Sequence, residues 1–423
     1  MGTRPGDLGA RRRRFVRLPR DVVVLGLIAF CVAVGFGVLV PVLPVFARTF
    51  GVGNLAVGAV ISAFALMRLA SSPFCGRMIA RFGERTVLST GIFIVAVSSG
   101  LAGIAQNYPQ LLALRGVGGI GSAMFTVSAM TLLLRSVGPE LRGRAAGFFQ
   151  GGFLIGGMTG PAVGGLLSAI SLAAPFFFYA ATLAVAGAVG LALLRPRGVT
   201  EDPRHDAVAR PFRDVLRDTR YQAALATNFS QGWTSFGVRS ALVPVLVVEV
   251  LHRPTTWTGA AFAAAAVCQT IAVGPAGKFV DTVGRRPAMI VGGFLAGLSI
   301  MAVPFAPSIG WLIAALSAYG VSAAFLGTAP AAAVGDAAGA RGGTAVAVFS
   351  MTSDVGAIVG PLVAGALADQ EGYPAAFGLG AALSLLAALN AFRMPRVPPG
   401  SSADATVGQD VRKETIGEPE ASV

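Results

Sequence analysis

Charge is scarce in this sequence: Asp, Glu, Lys and Arg make up only 13% of its 423 residues, against about 25% in ordinary soluble proteins. Histidine occurs twice and cysteine three times. Cys31, Cys75 and Cys268 lie far apart inside apolar stretches, without metal-ligand or disulfide-framework spacing. They read as core residues, so neither a metal nor a cofactor is expected. No long hydrophilic block is present either, which argues against the roughly two or three polar-surfaced domains that a soluble chain of this length would form. Catalytic signatures are missing: there is no H-E-x-x-H, no cysteine cluster and no nucleophile elbow. Gly116-Val117-Gly118-Gly119-Ile120-Gly121 satisfies G-x-G-x-x-G, but it sits inside an apolar run instead of opening a strand–turn–helix unit. Gly277-Lys278 is followed by Phe279 where a phosphate loop needs Ser or Thr. Nucleotide binding and enzymatic chemistry are therefore not expected.

What is present in excess is apolar sequence, 54% of the chain. A membrane-spanning helix needs roughly 20 predominantly apolar residues. Twelve stretches of that kind can be read: 22–46, 55–75, 86–105, 109–134, 145–170 and 175–194, then 221–248, 257–276, 287–306, 309–334, 344–368 and 374–392. The expected fold is an all-α membrane protein of twelve transmembrane helices immersed in a lipid bilayer. Glycine and proline interrupt many of these stretches, which is tolerated where neighbouring helices re-satisfy the backbone.

The formal net charge is +13, and its placement decides what it means. Arginines cluster before the first stretch, between the second and third (Arg77, Arg81, Arg85), between the fourth and fifth (Arg135, Arg142, Arg144), and throughout the central break. They recur after the eighth (Lys278, Arg285, Arg286), the tenth (Arg341) and the twelfth (Arg393, Arg396), while the alternate loops hold only Arg48 and Arg253. This is the positive-inside pattern, and it places both termini in the cytoplasm of a multi-pass cell (inner) membrane protein. The charge reports topology, and no nucleic-acid partner is expected. Arg13-Arg14-Phe15 is a faint match to an export signal, but the apolar run after it is too long for one and reads as an uncleaved first helix.

The polar break divides the spans six and six, and similar elements recur about 200 residues apart on its two sides. Gly76, Arg81, Gly83 and Arg85 match Gly277, Asp281, Gly284, Arg285 and Arg286, and Gly160-Pro161 matches Gly360-Pro361. The expected organisation is a basic tail (1–21), a six-helix bundle (22–194), a cytoplasmic linker (195–220), a second six-helix bundle (221–393) and a disordered tail (394–423). Two pseudo-symmetric halves holding a substrate between them near the midplane form a known transporter plan. Glycine lets the short basic loops turn without a Cβ penalty, and their arginines suit the negative ends of neighbouring helices.

With these residues in view, the sequence resembles the major facilitator superfamily. The two basic loops are similar to its G-x-L-x-D-R-x-G-R-K signature, with Ala80 where Asp is usual and Glu84 where a basic residue is common. The resemblance implies a cytoplasmic gate at Gly76, Arg81, Gly83, Arg85, Gly277, Asp281, Gly284, Arg285 and Arg286, to which Arg68 is added as a nearby charge. Leu111 to Arg115, followed by Gly119 and Gly121, resembles L-x-x-x-R-x-x-Q-G-x-G, which implies a part in proton transfer for Arg115. Gly156, Gly160, Pro161, Gly164 and Gly165 fit G-x-x-x-G-P-x-x-G-G, a motif of the twelve-span drug:proton antiporter group. Small residues four apart allow close helix approach, and this face is expected to seal the two halves together.

An ionisable group inside a span is expensive and is a functional candidate by default. Asp354 lies near the middle of the eleventh stretch and is the expected carrier of a coupling proton, with Arg239 as its expected partner and a structural hydrogen bond as the alternative. Asn228, Gln231, Trp233, Gln150 and Gln269 are candidate cavity groups, equally able to serve as helix–helix contacts. Together these features point to a monomeric transporter that exports a small amphipathic compound in exchange for protons by alternating access. Uptake by symport or facilitated diffusion, and a non-transporting sensor or scaffold, stay open as other readings.

Overall fold

A computed structural model describes residues 18–138, 141–195, 212–338 and 343–395. The basic stretch before residue 18, residues 196–211 of the expected linker, and the tail beyond 395 lie outside the described residues. The rest is helical: α1 (Arg20–Leu39), α2 (Leu43–Arg48), α3 (Asn54–Phe82), α4 (Glu84–Ala102), α5 (Tyr108–Arg135), α6 (Arg142–Ser168) and α7 (Ala174–Leu193) come first. There follow α8 (Phe212–Arg217), α9 (Thr219–Gly232), a π-helical stretch (Trp233–Ser240), α10 (Ala241–Glu249), α11 (Thr255–Thr282), α12 (Arg285–Ala302), α13 (Ile309–Ala338), α14 (Gly343–Gln370) and α15 (Tyr373–Ala391).

Among the described residues nine helices are long and apolar enough to cross a membrane: α1, α3, α4, α5, α7, α11, α13, most of α14 (from Thr344), and α15. The other three expected stretches show why they are less obvious. α6 begins among arginines and is rich in glycine, and α12 has only 18 residues and opens on Arg285-Arg286-Pro287. The seventh is divided between α9, the π-helical stretch and α10.

Local signals place several helix ends. Asn107 accepts a hydrogen bond from the Gln110 backbone N–H at 3.0 Å and caps α5, with Pro109 in its first turn. Gly83 and Gly284, at matching places in the repeat, turn α3 into α4 and α11 into α12 with φ of +78° and +116°. A side chain would be strained at either position, so the glycines of both basic loops have a backbone reason to be there.

Buried apolar residues sort into clusters on either side of the central break. Leu25, Ile28, Leu88, Ile92 and Phe176 belong to the first part of the chain. Leu242, Phe262, Ile300, Leu316 and Phe377 belong to the second. The two sets of helices meet chiefly along two seams, α3 against α14 and α6 against α11.

Candidate functional site

Both seams have the same shape. At the end away from the arginine clusters, their helices touch backbone to backbone. A Cβ on Gly58 of α3 would strike the Pro361 carbonyl of α14, and a Cβ on Gly259 of α11 would meet the Pro161 carbonyl and Gly165 of α6. These are the same contacts one repeat period apart. Further along, toward the basic end, the helices part. On α6 the stripe that continues from Pro161 reaches Gly151, Gly147 and Gly143, where an added Cβ would meet nothing within 4 Å. Gly274 and Gly277 on α11 and Gly76 on α3 are equally free. The molecule is therefore closed at its far end and splayed at its basic end.

Among the described residues, polar contacts reinforce only one seam. The Asp369 carboxylate of α14 accepts from the backbone N–H groups of Asn54 and Leu55, both at 2.9 Å, and from Asn54 Nδ2 at 2.8 Å. An acid from one part of the chain thus caps the N-terminus of a helix in the other, where unsatisfied N–H groups and the helix dipole favour it. Ser62 Oγ donates to the Ile358 carbonyl at 2.6 Å, and Arg68 of α3 forms an ion pair with Asp354 of α14. Nearby, Arg48 of α2 holds both carboxylate oxygens of Glu249 of α10 at 2.7 and 2.8 Å. That hydrogen bonding pushes the Arg48 guanidinium above its ordinary pKa, so it stays charged at any working pH.

Between the closed end and the splayed end lies a cavity of about 440 Å³, within the range of drug-sized sites. Its wall is mostly apolar and aromatic, with Phe36, Phe64, Phe125, Phe153, Phe236 and Phe262 prominent. Three arginines reach it: Arg68, Arg115 and Arg239. The Arg115 guanidinium lies 4.5 Å from the Phe64 ring centroid, and that of Arg239 lies 5.2 Å from Phe262 and 5.7 Å from Tyr319. Such stacking offsets part of the desolvation of a buried cation. Arg239 is presented by the π-helical stretch, a form that often marks functional positions in helices. There Ser240 Oγ donates to the Ser235 carbonyl at 2.7 Å, and Pro244, lacking an N–H, follows in α10.

The expected site residues distribute unevenly over this arrangement. Asp354 is paired, but with Arg68 across a seam and not with Arg239. Arg68 sits at the middle of α3 on the cavity wall, away from the basic loops. Gly156, Gly160 and Gly164 pack on α1, against the backbone of Phe30, Val34 and Val38, within their own part of the chain. Pro161, through its carbonyl, and Gly165, about 100° further round the helix from Gly164, are the motif residues that reach Gly259 of α11. Among the described residues, the contacts of the basic loops also stay local. Arg85 donates to the Leu191 carbonyl, Arg81 lies over Phe82, Arg286 over Phe392, and Arg285 pairs with Asp336. Asp281 is exposed and pairs with no described residue.

Of the five weaker candidates, Gln269 lines the cavity. Asn228 instead donates to the Phe349 carbonyl at 2.5 Å and ties α9 to α14. Trp233 packs against Gly360 and Phe229. Gln231 keeps a buried unpaired oxygen away from the cavity wall, and Gln150 is exposed. The sequence reading passed over Tyr179, which lines the cavity near Arg115, and Tyr319 beneath Arg239. Tyr179 and Tyr319 are two of only five tyrosines in the chain, and each lies within an apolar stretch and not at its edge, which is the signal.

Comparison with known proteins agrees with this architecture. The sequence model of the Major Facilitator Superfamily matches residues 25–261 and again 224–417. The synaptic vesicular amine transporter of Bos taurus is 27% identical over 327 residues, 76% of this chain and 62% of that protein. The chain thus spans less than two thirds of the length of the synaptic vesicular amine transporters it matches. Multidrug resistance protein 1 of Bacillus subtilis (strain 168) is 29% identical over 213 residues, 50% of this chain and 54% of that one. Among solved structures, a bacterial homologue of the human lysosomal transporter Spinster, in an inward-facing and unoccupied conformation, shares the fold. Its TM-score is 0.70 at 18% identity, over 88% of this chain and 95% of that one. Family and relatives alike point to transport and not to catalysis. With the family model covering nearly all of the described helices, the chain belongs to the Major Facilitator Superfamily.

Proposed function

We propose that this protein is a proton-coupled exporter of small amphipathic compounds, of the drug:proton antiporter type, working as a monomer in the cell (inner) membrane. In this reading twelve helices span the bilayer as two six-helix bundles, 22–194 and 221–393, joined by the 195–220 linker. The arginine-rich end is cytoplasmic, as the positive-inside rule directs, so the splayed conformation opens to the cell interior. The observation that carries the reading is the duplicated far-end seal, Gly58 on Pro361 and Gly259 on Pro161, above a mostly apolar cavity. Two matching hinged seams around one chamber are what alternating access requires. A relative named for multidrug resistance supports a small-molecule cargo of the drug type.

Proton coupling is assigned to Asp354. Its pair with Arg68 bridges the two bundles beside the cavity, with side chains 21% and 31% exposed, so water can reach it from the open end. Protonation of Asp354 would cancel the attraction and release one seam; deprotonation would restore it. Arg115 and Arg239, also expected to take part, make no contact with Asp354.

The test is substrate accumulation in everted vesicles under an imposed pH gradient, using a panel of amphipathic fluorophores. Wild type is expected to accumulate substrate when the lumen is acidic, and Asp354→Asn to insert normally but lose that dependence. An unchanged pH response in the variant would remove Asp354 from coupling. Accumulation only in right-side-out vesicles would replace export with uptake.

A further inference from the structure

The cavity wall is charged in one direction only. Arg68 is compensated by Asp354, but Arg115 and Arg239 are not. Among the described residues neither donates a hydrogen bond nor forms an ion pair, and the Nε of each is buried without a partner. Arg115 is only 4% exposed. No Asp or Glu is among the residues lining the cavity. Buried cations are normally paired or hydrogen-bonded, so two unpaired guanidiniums facing one chamber are a site missing its anion.

We propose that Arg115 and Arg239 form an oxyanion-binding pair, and that the cargo is an amphipathic organic anion: one carboxylate or sulfonate on an apolar, preferably aromatic body. The proposal deepens the exporter reading and rests on it for the cavity's role. Each guanidinium rests over an aromatic ring, and among the described residues none of its N–H groups is spent on a hydrogen bond. A planar fork of donors suits the two oxygens of a carboxylate or sulfonate. Phe125 and Phe153 offer the apolar body its contacts. At the open mouth Arg77, Arg81, Arg144 and Lys278 are exposed, and a field of that sign draws anions inward. A cationic cargo would face two uncompensated positive charges with no acid to answer them.

The experiment compares two probes with one fluorophore and opposite charge, dansylglycine and dansyl-ethylenediamine, binding to the full-length protein in nanodiscs. The anionic probe is expected to bind at least about tenfold more tightly. Arg115→Gln and Arg239→Gln should each weaken it by about tenfold, the loss expected for a charge-assisted hydrogen bond, and leave the cationic probe unchanged or tighter. Arg115→Lys should keep the preference for the anion while lowering its affinity, which a merely structural arginine would not do. Unchanged elution and unfolding temperature in the variants separate loss of binding from loss of fold. Equal or tighter binding of the cationic probe, or Gln variants that bind the anion as wild type does, overturns the anion assignment and leaves the exporter reading standing. Failure of both probes to bind wild type would overturn both readings.

Discussion

Arg68 of α3 is ion-paired with Asp354 of α14, while the positions one repeat period away, Gln269 of α11 and Leu154 of α6, line the same cavity without a charge. Among the described residues the duplicated fold thus carries its ion pair on one seam only. Removing one partner leaves the other charge partly buried and alone. Arg68→Gln and Asp354→Asn are each expected to lower stability by about 1–3 kcal/mol. The double variant should be no worse than the weaker single one. Thermal unfolding in detergent reads this directly. Additive losses would mean that the two side chains do not support each other.

The far-end seal depends on two glycines with no room for a side chain. Gly58→Val and Gly259→Val would each press Cβ atoms into the Pro361 or Pro161 carbonyl. Overpacking of this kind costs about 1–3 kcal/mol, and here the cost falls only on the state in which that end is shut. The balance between states should therefore shift roughly 5- to 150-fold away from the splayed form. A cysteine at Gly147, placed in a background without native cysteines, should react more slowly with an impermeant maleimide added from the basic side. The two variants should act alike, because the contacts are mirrored. A response from only one would show that the seams do not move together.

Asp369 should matter next most to that seal. As a cap on α3 it satisfies two backbone donors, and Asp369→Ala is expected to weaken closure by about 1 kcal/mol, roughly fivefold in the same labelling assay. The Arg48–Glu249 pair is an ion pair at the surface, its side chains 29% and 39% exposed. Glu249→Gln should therefore change the balance by less than about 1 kcal/mol, and added salt should erase the difference. If Glu249→Gln had the larger effect, the far end would be held by surface charge and not by the helix cap.

Much of this was legible in the sequence. Apolar length, the placement of arginines and a repeat of about 200 residues carry the helical membrane fold, because lipid leaves the backbone few choices. The positive-φ role of Gly83 and Gly284 followed from their place in short loops. The site was less legible. Asp354 was visible as a charge out of place, but its partner was not, since helix order along the chain does not say which helices lie side by side. Gly156, Gly160 and Gly164 announce close packing, but it falls on α1 in their own part of the chain and not between the two halves, where the motif was expected to act. Stacked arginines were the hardest to foresee. Phe64 and Phe262 are ordinary apolar residues until the fold brings Arg115 and Arg239 over them.

The basic end offers a last test, in which the two halves carry opposite wiring. Glu84, at the start of α4, pairs with Arg135 at the end of α5. One repeat period on, Arg285 at the start of α12 pairs at 2.8 Å with Asp336 in the last turn of α13. Glu84 explains the departure of the first basic loop from the family signature: an acid stands there because its arginine comes from the next helix. The first pair also follows the helix dipoles, with the acid at an N-terminus and the base at a C-terminus, whereas the second runs against both. Each end so reversed costs about 0.3–1 kcal/mol at an exposed site. Exchanging the charges in the second half, Arg285→Glu with Asp336→Arg, should therefore raise the unfolding temperature. The same exchange in the first half, Glu84→Arg with Arg135→Glu, should lower it, and by more, because the Glu84 side chain is only 3% exposed. If the second-half exchange proved as damaging as the first, the arginine at Arg285 would be held there by something other than its pair with Asp336, and the loop's basic signature would need a cause outside local electrostatics.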